Sequence, residues 1–364
     1  MIDQLRKEVK ANPYKFICDW MEDVLPFTGR KAYEILAVMP TSIIIPDIDY
    51  EGERIRSNIN MLLLTASGGG KSTIAKHFSN ISYIPLNVES ITPAKLERMI
   101  SSNPMFTLIV GDFSRLARDP VGIKIIEGIL GEEKRVHRAT MRSEIDTATN
   151  GIGLFCGTSQ DLSSYLTGGF IFRAVPLILT HNADEHSKIG EKIINNMGVA
   201  KASNGKEEVI KEYYQELFNI QGQDPPHPKQ VRGYHIKKEF RKKAFDVWDN
   251  QTKHINKVLN AEFNWFRELH EFFRFLINHA FLNIHNREVK DGLLIPNEKD
   301  FTVALRLMKQ TLRLKFDIVS MEAFSKTISD LRDLKKIMES SKLSEDRKEI
   351  LQNIVRISRG RLSK

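Results

Sequence analysis

The chain of 364 residues has only two cysteines, Cys18 and Cys156, and no long apolar run. Two isolated cysteines cannot build a disulfide framework or a cysteine-based zinc site. No stretch approaches the roughly 18 to 20 apolar residues of a membrane helix, and the N-terminal MIDQLRKEVK lacks the apolar core of a secretory signal. The sequence therefore predicts a cytoplasmic protein with no membrane partner.

Acidic residues are scarce relative to basic ones, but only in the last third of the chain. The 54 Lys and Arg exceed the 46 Asp and Glu by 8. Residues 231–364 hold 28 of the basic and 18 of the acidic residues, a net charge of +10, whereas residues 1–230 hold 26 and 28. This asymmetry is typical of a protein with a polyanionic partner. A lysine-rich helical domain without such a partner would have the same composition.

Apolar periodicity divides the chain into three predicted parts. Residues 1–45 contain short helices interrupted by prolines, with an extended segment at 42–49. Residues 46–205 alternate apolar runs with helical stretches, which predicts an α/β core with a mainly parallel sheet between helices. The runs are Met61–Thr65, Tyr83–Asn87, Thr107–Val110, Gly153–Cys156 and Val175–Thr180.

Residues 206–364 are predicted to form a basic, all-helical C-terminal domain after a Gly- and Pro-rich stretch at 222–233. Asn297 is a predicted helix N-cap. Spacings of 3, 4, 3 and 4 predict that one face of a helix carries Phe263, Phe266, His270, Phe273 and Ile277. The basic run at 236–243 is a candidate nucleic-acid contact or a solvated helix face. The tryptophans Trp20, Trp248 and Trp265 are predicted to be core or interface anchors.

The segment MLLLTASGGGKST at 61–73 is a strand, a glycine-rich loop and a helix start. It is close to the Walker A pattern of phosphate-binding loops, with Thr65 in place of the first glycine. Backbone N–H groups of such a loop surround phosphate oxygens, the lysine reaches the β- and γ-phosphates, and the next hydroxyl ligates Mg²⁺. The predicted ATP-binding residues are Ser67, Gly68, Gly69, Gly70, Lys71, Ser72 and Thr73, with Ser72 on the metal.

A second apolar run, TLIVGD at 107–112, ends at Asp112, which is the predicted Walker B carboxylate for Mg²⁺. The interval from Lys71 to Asp112 leaves room for one helix and one further strand. Many oligomeric motor ATPases follow this Asp with a water-polarising Glu, but here Phe113 follows. Glu89 is the first candidate for that role and Glu127 the second, and both are equally compatible with surface or capping positions.

Two downstream segments supply further candidates. GLFCGTSQDL at 153–162 is a strand with a polar end, where Ser159 or its neighbours could contact the γ-phosphate or the attacking water. Arg173 precedes the last apolar run and is a candidate arginine finger for a neighbouring subunit. An arginine paired with a local carboxylate would have the same sequence signature.

Residues 134–150 predict a basic β-hairpin between the Walker B run and the run at 153–156. Its candidate nucleic-acid contacts are Arg135, His137, Arg138 and Arg142. Contacts of this kind bind the phosphate backbone without sequence specificity. A solvated edge hairpin is the alternative.

Taken together, TASGGGKST, TLIVGD, GLFCGTSQDL and GGFIFR give residues 50–185 a pattern that resembles helicase-like P-loop ATPases of phages, plasmids and archaeal elements. These are distant relatives of the minichromosome maintenance helicases in the AAA+ and RecA-like superclass. The resemblance implies in-line hydrolysis of ATP·Mg²⁺ with Arg173 acting in trans. It further implies a homo-oligomeric ring, with a hexamer as one candidate form, that translocates on or unwinds single- or double-stranded DNA during replication of a mobile element.

Other functions remain compatible with these residues. The first is an ATPase that loads, partitions or packages DNA without unwinding it. The second is a nucleotide-gated DNA-binding regulator with little hydrolysis, which the Phe113 position favours slightly. A small-molecule kinase fits less well, because the sequence has no evident acceptor site or lid pattern and carries a large basic region.

Overall fold

Five parallel strands form the central sheet of the protein in a computed structural model. The structure describes residues 2–25, 29–50, 53–65, 70–89, 91–103, 105–131, 135–139, 144–158, 173–179, 205–224, 226–259 and 266–327. Its strands are β1 (Ile48–Tyr50), β2 (Glu53–Ile55), β3 (Met61–Thr65), β4 (Pro85–Val88), β5 (Met105–Val110), β6 (Arg135–Ala139), β7 (Glu144–Ala148), β8 (Asn150–Thr158), β9 (Val175–Leu179), β10 (Gly233–Tyr234), β11 (Glu288–Lys290) and β12 (Leu293–Ile295).

Helices lie before, between and after these strands. They are α1 (Ile2–Ala11), α2 (Pro13–Val24), α3 (Arg30–Val38), α4 (Lys71–Ile81), α5 (Pro93–Ser102), α6 (Ser114–Ala117), α7 (Pro120–Leu130), α8 (Lys206–Gly222), α9 (Lys238–Leu259), α10 (Phe266–Leu282) and α11 (Glu298–Thr327). This order confirms the prediction of an α/β core that helical segments precede and follow. The prediction that residues 206–364 are all-helical is wrong, because β10, β12 and β11 form a small sheet there. Asp291 and Gly292, both at positive φ, form the tight turn that joins β11 to β12.

The strand order in the central sheet is β4-β5-β8-β3-β9. All five residues of β3 are buried, as expected for a parallel strand covered on both faces. The prediction for this strand is confirmed to the residue. Strand β4 lies slightly C-terminal to its predicted position, and β5 and β8 are longer than predicted.

The predicted extended segment at 42–49 is wrong over its first half. Residues Pro40–Ile43 form a 3-10 helix, and β1 begins only at Ile48. Two hydroxyls favour the helical turn, because Thr41 Oγ1 donates to the Val38 carbonyl at 2.7 Å and Ser42 Oγ donates to the Met39 carbonyl at 2.6 Å. Such side-chain bonds compete with extended backbone pairing.

Helices cover both faces of the sheet. The connection from β3 to β4 runs along the sheet in one direction, and the connections β4–β5 and β5–β8 run in the opposite direction. Because parallel crossovers are right-handed, α4 lies on one face of the sheet and α5 and α7 lie on the other. Accordingly, Leu63 clusters with Phe78 of α4, whereas its neighbour Leu64 clusters with Leu96 of α5. The interval from Lys71 to Asp112 thus holds two helices rather than the predicted one.

The N-terminal and C-terminal helices share one apolar cluster with the sheet. It includes Trp20 of α2, Met61 of β3 and Phe275 of α10. Ion pairs join the same regions at the surface, because Arg6 Nε lies 2.9 Å from Glu212 Oε2 between α1 and α8. The three predicted segments are therefore packed together in the described part of the chain.

Helix α10 is buried around most of its C-terminal half. Phe275 and Ile277 have no exposed surface, but Phe266 in the first turn is 56% exposed. The predicted helix is confirmed from Phe266 to Ile277, while Phe263 lies outside the described residues. The predicted N-cap of α11 is confirmed, since Asn297 Oδ1 accepts the backbone N–H of Lys299 at 3.0 Å.

Arg56, which is 1% exposed, connects the sheet to elements on both sides of it. Its guanidinium donates to the carbonyls of Ile129, of Gly131 at 2.6 Å and of Gly151 at 3.0 Å, at the end of α7 and the start of β8. Its own carbonyl accepts the Nε–H of Arg274 in α10 at 2.8 Å. One buried side chain and its peptide group thus join α7, β8 and α10.

We expect Arg56→Ala to lower the free energy of unfolding by at least about 3 kcal/mol, because several buried carbonyls lose a charged donor. Arg241 is exposed on α9, and Arg241→Ala is the matched control, with an expected change within about 0.5 kcal/mol. Urea titration followed by circular dichroism measures both. A loss below about 1 kcal/mol for Arg56→Ala would contradict the role given to this residue.

Candidate functional site

The carboxyl ends of the parallel strands lie at one edge of the sheet, and a direction reversal of the connections falls between β3 and β8. Ligands of open α/β sheets bind outside the carboxyl ends at such a reversal. The glycine-rich loop leaves β3 at this point. Ser67, Gly68 and Gly69 lie outside the described residues, and the description resumes at Gly70.

Gly70 sets the start of α4. Its φ of 80° is in the left-handed region, which glycine adopts without steric cost. The Gly70 carbonyl accepts the N–H groups of Thr73 and Ile74, both at 3.1 Å. The earlier N–H groups of the first turn, at Lys71 and Ser72, have no helical acceptor by geometry and can bind an anion.

The side chains of this first turn differ in how far they are exposed. Lys71 is half-buried, and Ser72 and Thr73 are exposed. Burial raises the pKa of the Cys156 thiol to about 12, and the positive charge of Lys71 opposes that rise. The Lys71 ammonium is therefore close enough to the carboxyl half of β8 to act on this thiol.

Asp112 and Glu89 meet where β5 and β4 end. The backbone N–H of Asp112 donates to the Glu89 carbonyl at 2.8 Å, and both residues are exposed. Asp112 Oδ1 also accepts the backbone N–H of Ser114 at 3.1 Å, which fixes the turn into α6. The two predicted carboxylate positions are thus adjacent, although 23 positions separate them in sequence.

Phe113, directly after Asp112, belongs to the core. It has no exposed surface, its N–H donates to the Cys156 carbonyl at 2.8 Å, and its ring lies 4.9 Å from the ring of Phe155. An ionised glutamate at this buried position would be costly. The packing explains why a buried aromatic ring, and not a glutamate, follows Asp112.

A cleft of about 280 Å³ lies between α4 and the ends of β4 and β5. Ser72 and Glu89 line it together with Gly111, next to Asp112. The sequence reasoning missed two further lining residues, Asn87 and Lys76. In the sequence, Asn87 is a polar residue at the end of a predicted apolar run, and Lys76 is a second cation in the helix that begins at Lys71.

The end of β8 lies beside the end of β3, as expected for the predicted sensor strand. Thr158 pairs with Thr65 in the parallel register. Ser159, the candidate itself, lies outside the described residues, while Thr158 ends the strand at the same sheet edge as the glycine-rich loop. The strand bearing this candidate is placed next to the loop.

Arg173 lies at the opposite edge of the sheet. It precedes β9, and its guanidinium Nη1 is 2.9 Å from Glu127 Oε1 of α7. A strand of five residues spans about 16 Å, so Arg173 and Glu127 are remote from the cleft of their own chain. The second candidate for water activation, Glu127, is therefore not placed beside Asp112.

The predicted hairpin is confirmed as an antiparallel pair. His137 of β6 pairs with Asp146 of β7, and Arg138 pairs with Ile145. Arg135 begins β6, and Arg142 lies outside the described residues. Because β7 leads directly into the first residues of β8, the hairpin joins the sheet at the edge opposite to the cleft.

A buried charged cluster in the helical region was not predicted. Lys315 Nζ of α11 lies 3.0 Å from Glu268 Oε1 and 2.6 Å from Glu271 Oε1 of α10, and all three side chains are buried. Burial raises the pKa of Glu271 to about 7, and the nearby Lys315 charge opposes the rise. Sequence periodicity could not find this cluster, since charged residues are normally assigned to the exposed face.

No family model matches the chain, and no curated protein matches it in a sequence search. Among the described residues, no group of three or more His, Cys, Asp or Glu could hold a metal ion. None of the helices in the described ranges is long and apolar enough to span a membrane.

The cysteines give a test of the core beside the cleft. Cys18 and Cys156 are both buried, and burial raises the pKa of both thiols. A raised thiol pKa keeps the group neutral at pH 8, and only the thiolate reacts readily. A thiol-reactive disulfide reagent should modify the native protein at least about 100-fold more slowly than the urea-unfolded protein. Rapid native modification of either cysteine would contradict this packing.

Proposed function

We propose that the chain is a P-loop ATPase that binds ATP·Mg²⁺ at the carboxyl edge of its sheet. The observation that carries the proposal is the convergence of three separate segments at this edge. Ser72 in the first turn of α4, Glu89 after β4 and Gly111 after β5 line one cleft. Asp112 directly follows Gly111, and its backbone is hydrogen-bonded to that of Glu89. A helix N-terminus with a lysine binds phosphates, and neighbouring oxygen ligands suit Mg²⁺.

The strand order supports the same proposal. One strand, β8, separates β5 with Asp112 from β3 with the glycine-rich loop. The AAA+ and RecA-like ATPases that the sequence resembles share this separation of the Walker A and Walker B strands. In such a site the Ser72 hydroxyl and Asp112 would hold Mg²⁺ together with the phosphates, so no larger protein ligand cluster is needed.

Glu89 is the proposed water-orienting residue. Its exposed side chain lines the cleft next to Asp112, whereas the residue after Asp112 is the buried Phe113. A carboxylate in reach of the water and the γ-phosphate can accept a proton during in-line attack. Thr158 or Ser159 would add a polar contact from the end of β8.

Arg173 would act on a neighbouring subunit. It lies at the amino edge of the sheet, paired with Glu127 and remote from the cleft of its own chain. Contact with a nucleotide would therefore be with that of a neighbouring subunit and would replace this ion pair. A homo-oligomer, such as a ring, would bring it to the adjoining nucleotide. There the guanidinium would stabilise charge that develops on the transferred phosphoryl group.

The proposed work of the ATPase is movement on DNA. The hairpin β6–β7 lies at the sheet edge remote from the nucleotide, and residues 231–364 carry a net charge of +10, from 28 basic and 18 acidic residues. Both features suit contacts with a phosphate backbone. An oligomer with these surfaces towards DNA could translocate on or unwind it.

The buried Phe113 favours one second candidate function. A site whose water-activating residue is not on the Walker B strand could bind ATP and hydrolyse it slowly. The protein would then be a nucleotide-gated DNA-binding regulator. The rate of hydrolysis in the presence of DNA separates the two functions.

We expect Lys71→Ala to abolish ATP binding measured by calorimetry, because the phosphates lose their cation. Glu89→Gln should retain ATP binding but lower kcat by at least about 100-fold, since it removes the proton acceptor. The control Glu288→Gln, at an exposed carboxylate of β11, should leave both unchanged. ATP binding that is unaffected by Lys71→Ala would refute the proposed site. Lys71-dependent binding without turnover, with or without DNA, would identify the regulator.

Mixing variants tests the trans arrangement. Arg173→Ala and Lys71→Ala should each lack DNA-stimulated ATPase activity. In a random equal mixture, about one quarter of subunit interfaces would combine an intact Lys71 with an intact Arg173 from the neighbour. Recovery of about that fraction of the wild-type rate supports action in trans. No recovery, in mixtures that sedimentation shows to be co-assembled, would exclude it.

A further inference from the structure

A basic and aromatic surface lies on α9 and the first turn of α10, remote from the cleft in sequence and on different elements. It consists of Lys238, Arg241, Lys242, Phe245, Trp248 and Phe266. Phe245 is 48% exposed and Phe266 is 56% exposed, whereas Trp248 between them is 8% exposed. Large exposed aromatic rings placed together are a mark of a binding surface.

The three rings form one contiguous series. The ring centroids of Phe245 and Trp248 are 5.6 Å apart, and those of Trp248 and Phe266 are 5.2 Å apart with planes inclined by 27°. Trp248 therefore supports an exposed ring on each side. A rigidly supported ring offers a flat apolar face at little cost in side-chain entropy.

Cations lie on the same side of α9 as Phe245. Helical spacing puts Lys238, Arg241 and Lys242 one or two turns before Phe245, and all three are exposed. Within the described residues none of the three forms an ion pair. The acidic Asp249 nearby is paired with Lys253 at 2.7 Å. The exposed Asp246 lies one turn after Lys242, so the three cations leave this side of the helix with an excess of positive charge.

Two other lysines in and next to α9 are used for packing. The ammonium of Lys237, which directly precedes α9, lies 5.4 Å from the ring centre of Phe240 in the first turn, and that of Lys243 lies 5.9 Å from the ring centre of Phe301 of α11. The first cation–π contact stabilises the start of α9, and the second stabilises α9 against α11. The contrast separates cations used within the fold from those left for a partner.

We propose that this surface binds single-stranded nucleic acid, with a base stacked on Phe245 and phosphates beside Arg241, Lys242 and Lys238. Exposed aromatic faces with adjacent cations are the elements by which proteins bind single strands without sequence preference. A duplex keeps its bases stacked on each other, so only the phosphate contacts would remain. This inference rests on the proposed function as a DNA-binding ATPase and adds that the bound nucleic acid is single-stranded. Binding at this surface does not require ATP.

The test uses the full-length protein without ATP and a fluorescent 20-nucleotide oligo-dT, with Kd measured by anisotropy. Phe245→Leu keeps an apolar side chain but removes the ring, and it should raise Kd by at least about fivefold. Phe245→Trp keeps a ring and should stay within about twofold of the wild type. Binding of a duplex of equal length should not change in Phe245→Leu.

The charged part of the surface has a separate readout. The double variant Arg241→Ala/Lys242→Ala should reduce the slope of log K against log salt concentration by about 1.4, since each single-strand phosphate contact contributes about 0.7. Phe245→Leu should leave that slope unchanged. The matched control Lys299→Ala/Lys309→Ala removes two exposed lysines of α11 and should leave both the slope and Kd unchanged.

Three results would overturn the proposal. They are an unchanged Kd for oligo-dT and oligo-U in Phe245→Leu, an unchanged salt slope in the double variant, and a lower sedimentation mass of Phe245→Leu without nucleic acid. The last would assign the surface to contacts between copies of the chain. Ring-dependent binding of oligo-U alone would support the surface and assign it to RNA. Because Lys71→Ala should bind oligo-dT normally, failure of the ATPase proposal is distinguishable from failure of this one.

Discussion

The buried guanidinium of Arg56 is the constraint on which the arrangement of the described elements depends. A charge can be buried at this depth only if its N–H groups are satisfied, and here the acceptors are carbonyls of α7, of the turn after it and of β8. The peptide of Arg56 is in turn bound by Arg274 of α10. The helical region cannot move against the hairpin base without disturbing these bonds.

This constraint separates two regions of the sheet. At its carboxyl edge, exposed polar residues surround a cleft, and the backbone of Asp112 is tied to that of Glu89. At the amino edge lie the hairpin and the Arg173–Glu127 ion pair. In the proposed ATPase, the nucleotide and the hairpin would therefore lie at opposite ends of the same strands.

The sequence predicted those elements correctly that depend on a few neighbouring residues. Strand β3, the hairpin and the N-cap Asn297 were predicted because alternation, turn residues and capping are local properties. The adjacency of Glu89 to Asp112 was only a hypothesis from sequence, because it depends on which strands pair. The pairing of Arg173 with Glu127 and the burial of Lys315 depend on tertiary packing that no local period encodes. The small sheet of β10, β12 and β11 was missed because its strands are only two or three residues long.

Strand β8 has a mechanical consequence that follows from its length and its position. It runs from the hairpin base to the strand end beside the glycine-rich loop, a distance of about 30 Å for its nine residues. Seven of these residues are buried, and a close-packed interior is poorly compressible. The strand is also held in register between β5 and β3. It therefore joins the base of the hairpin to Thr158 as one rigid element, and a displacement at one end would have to move the whole sheet.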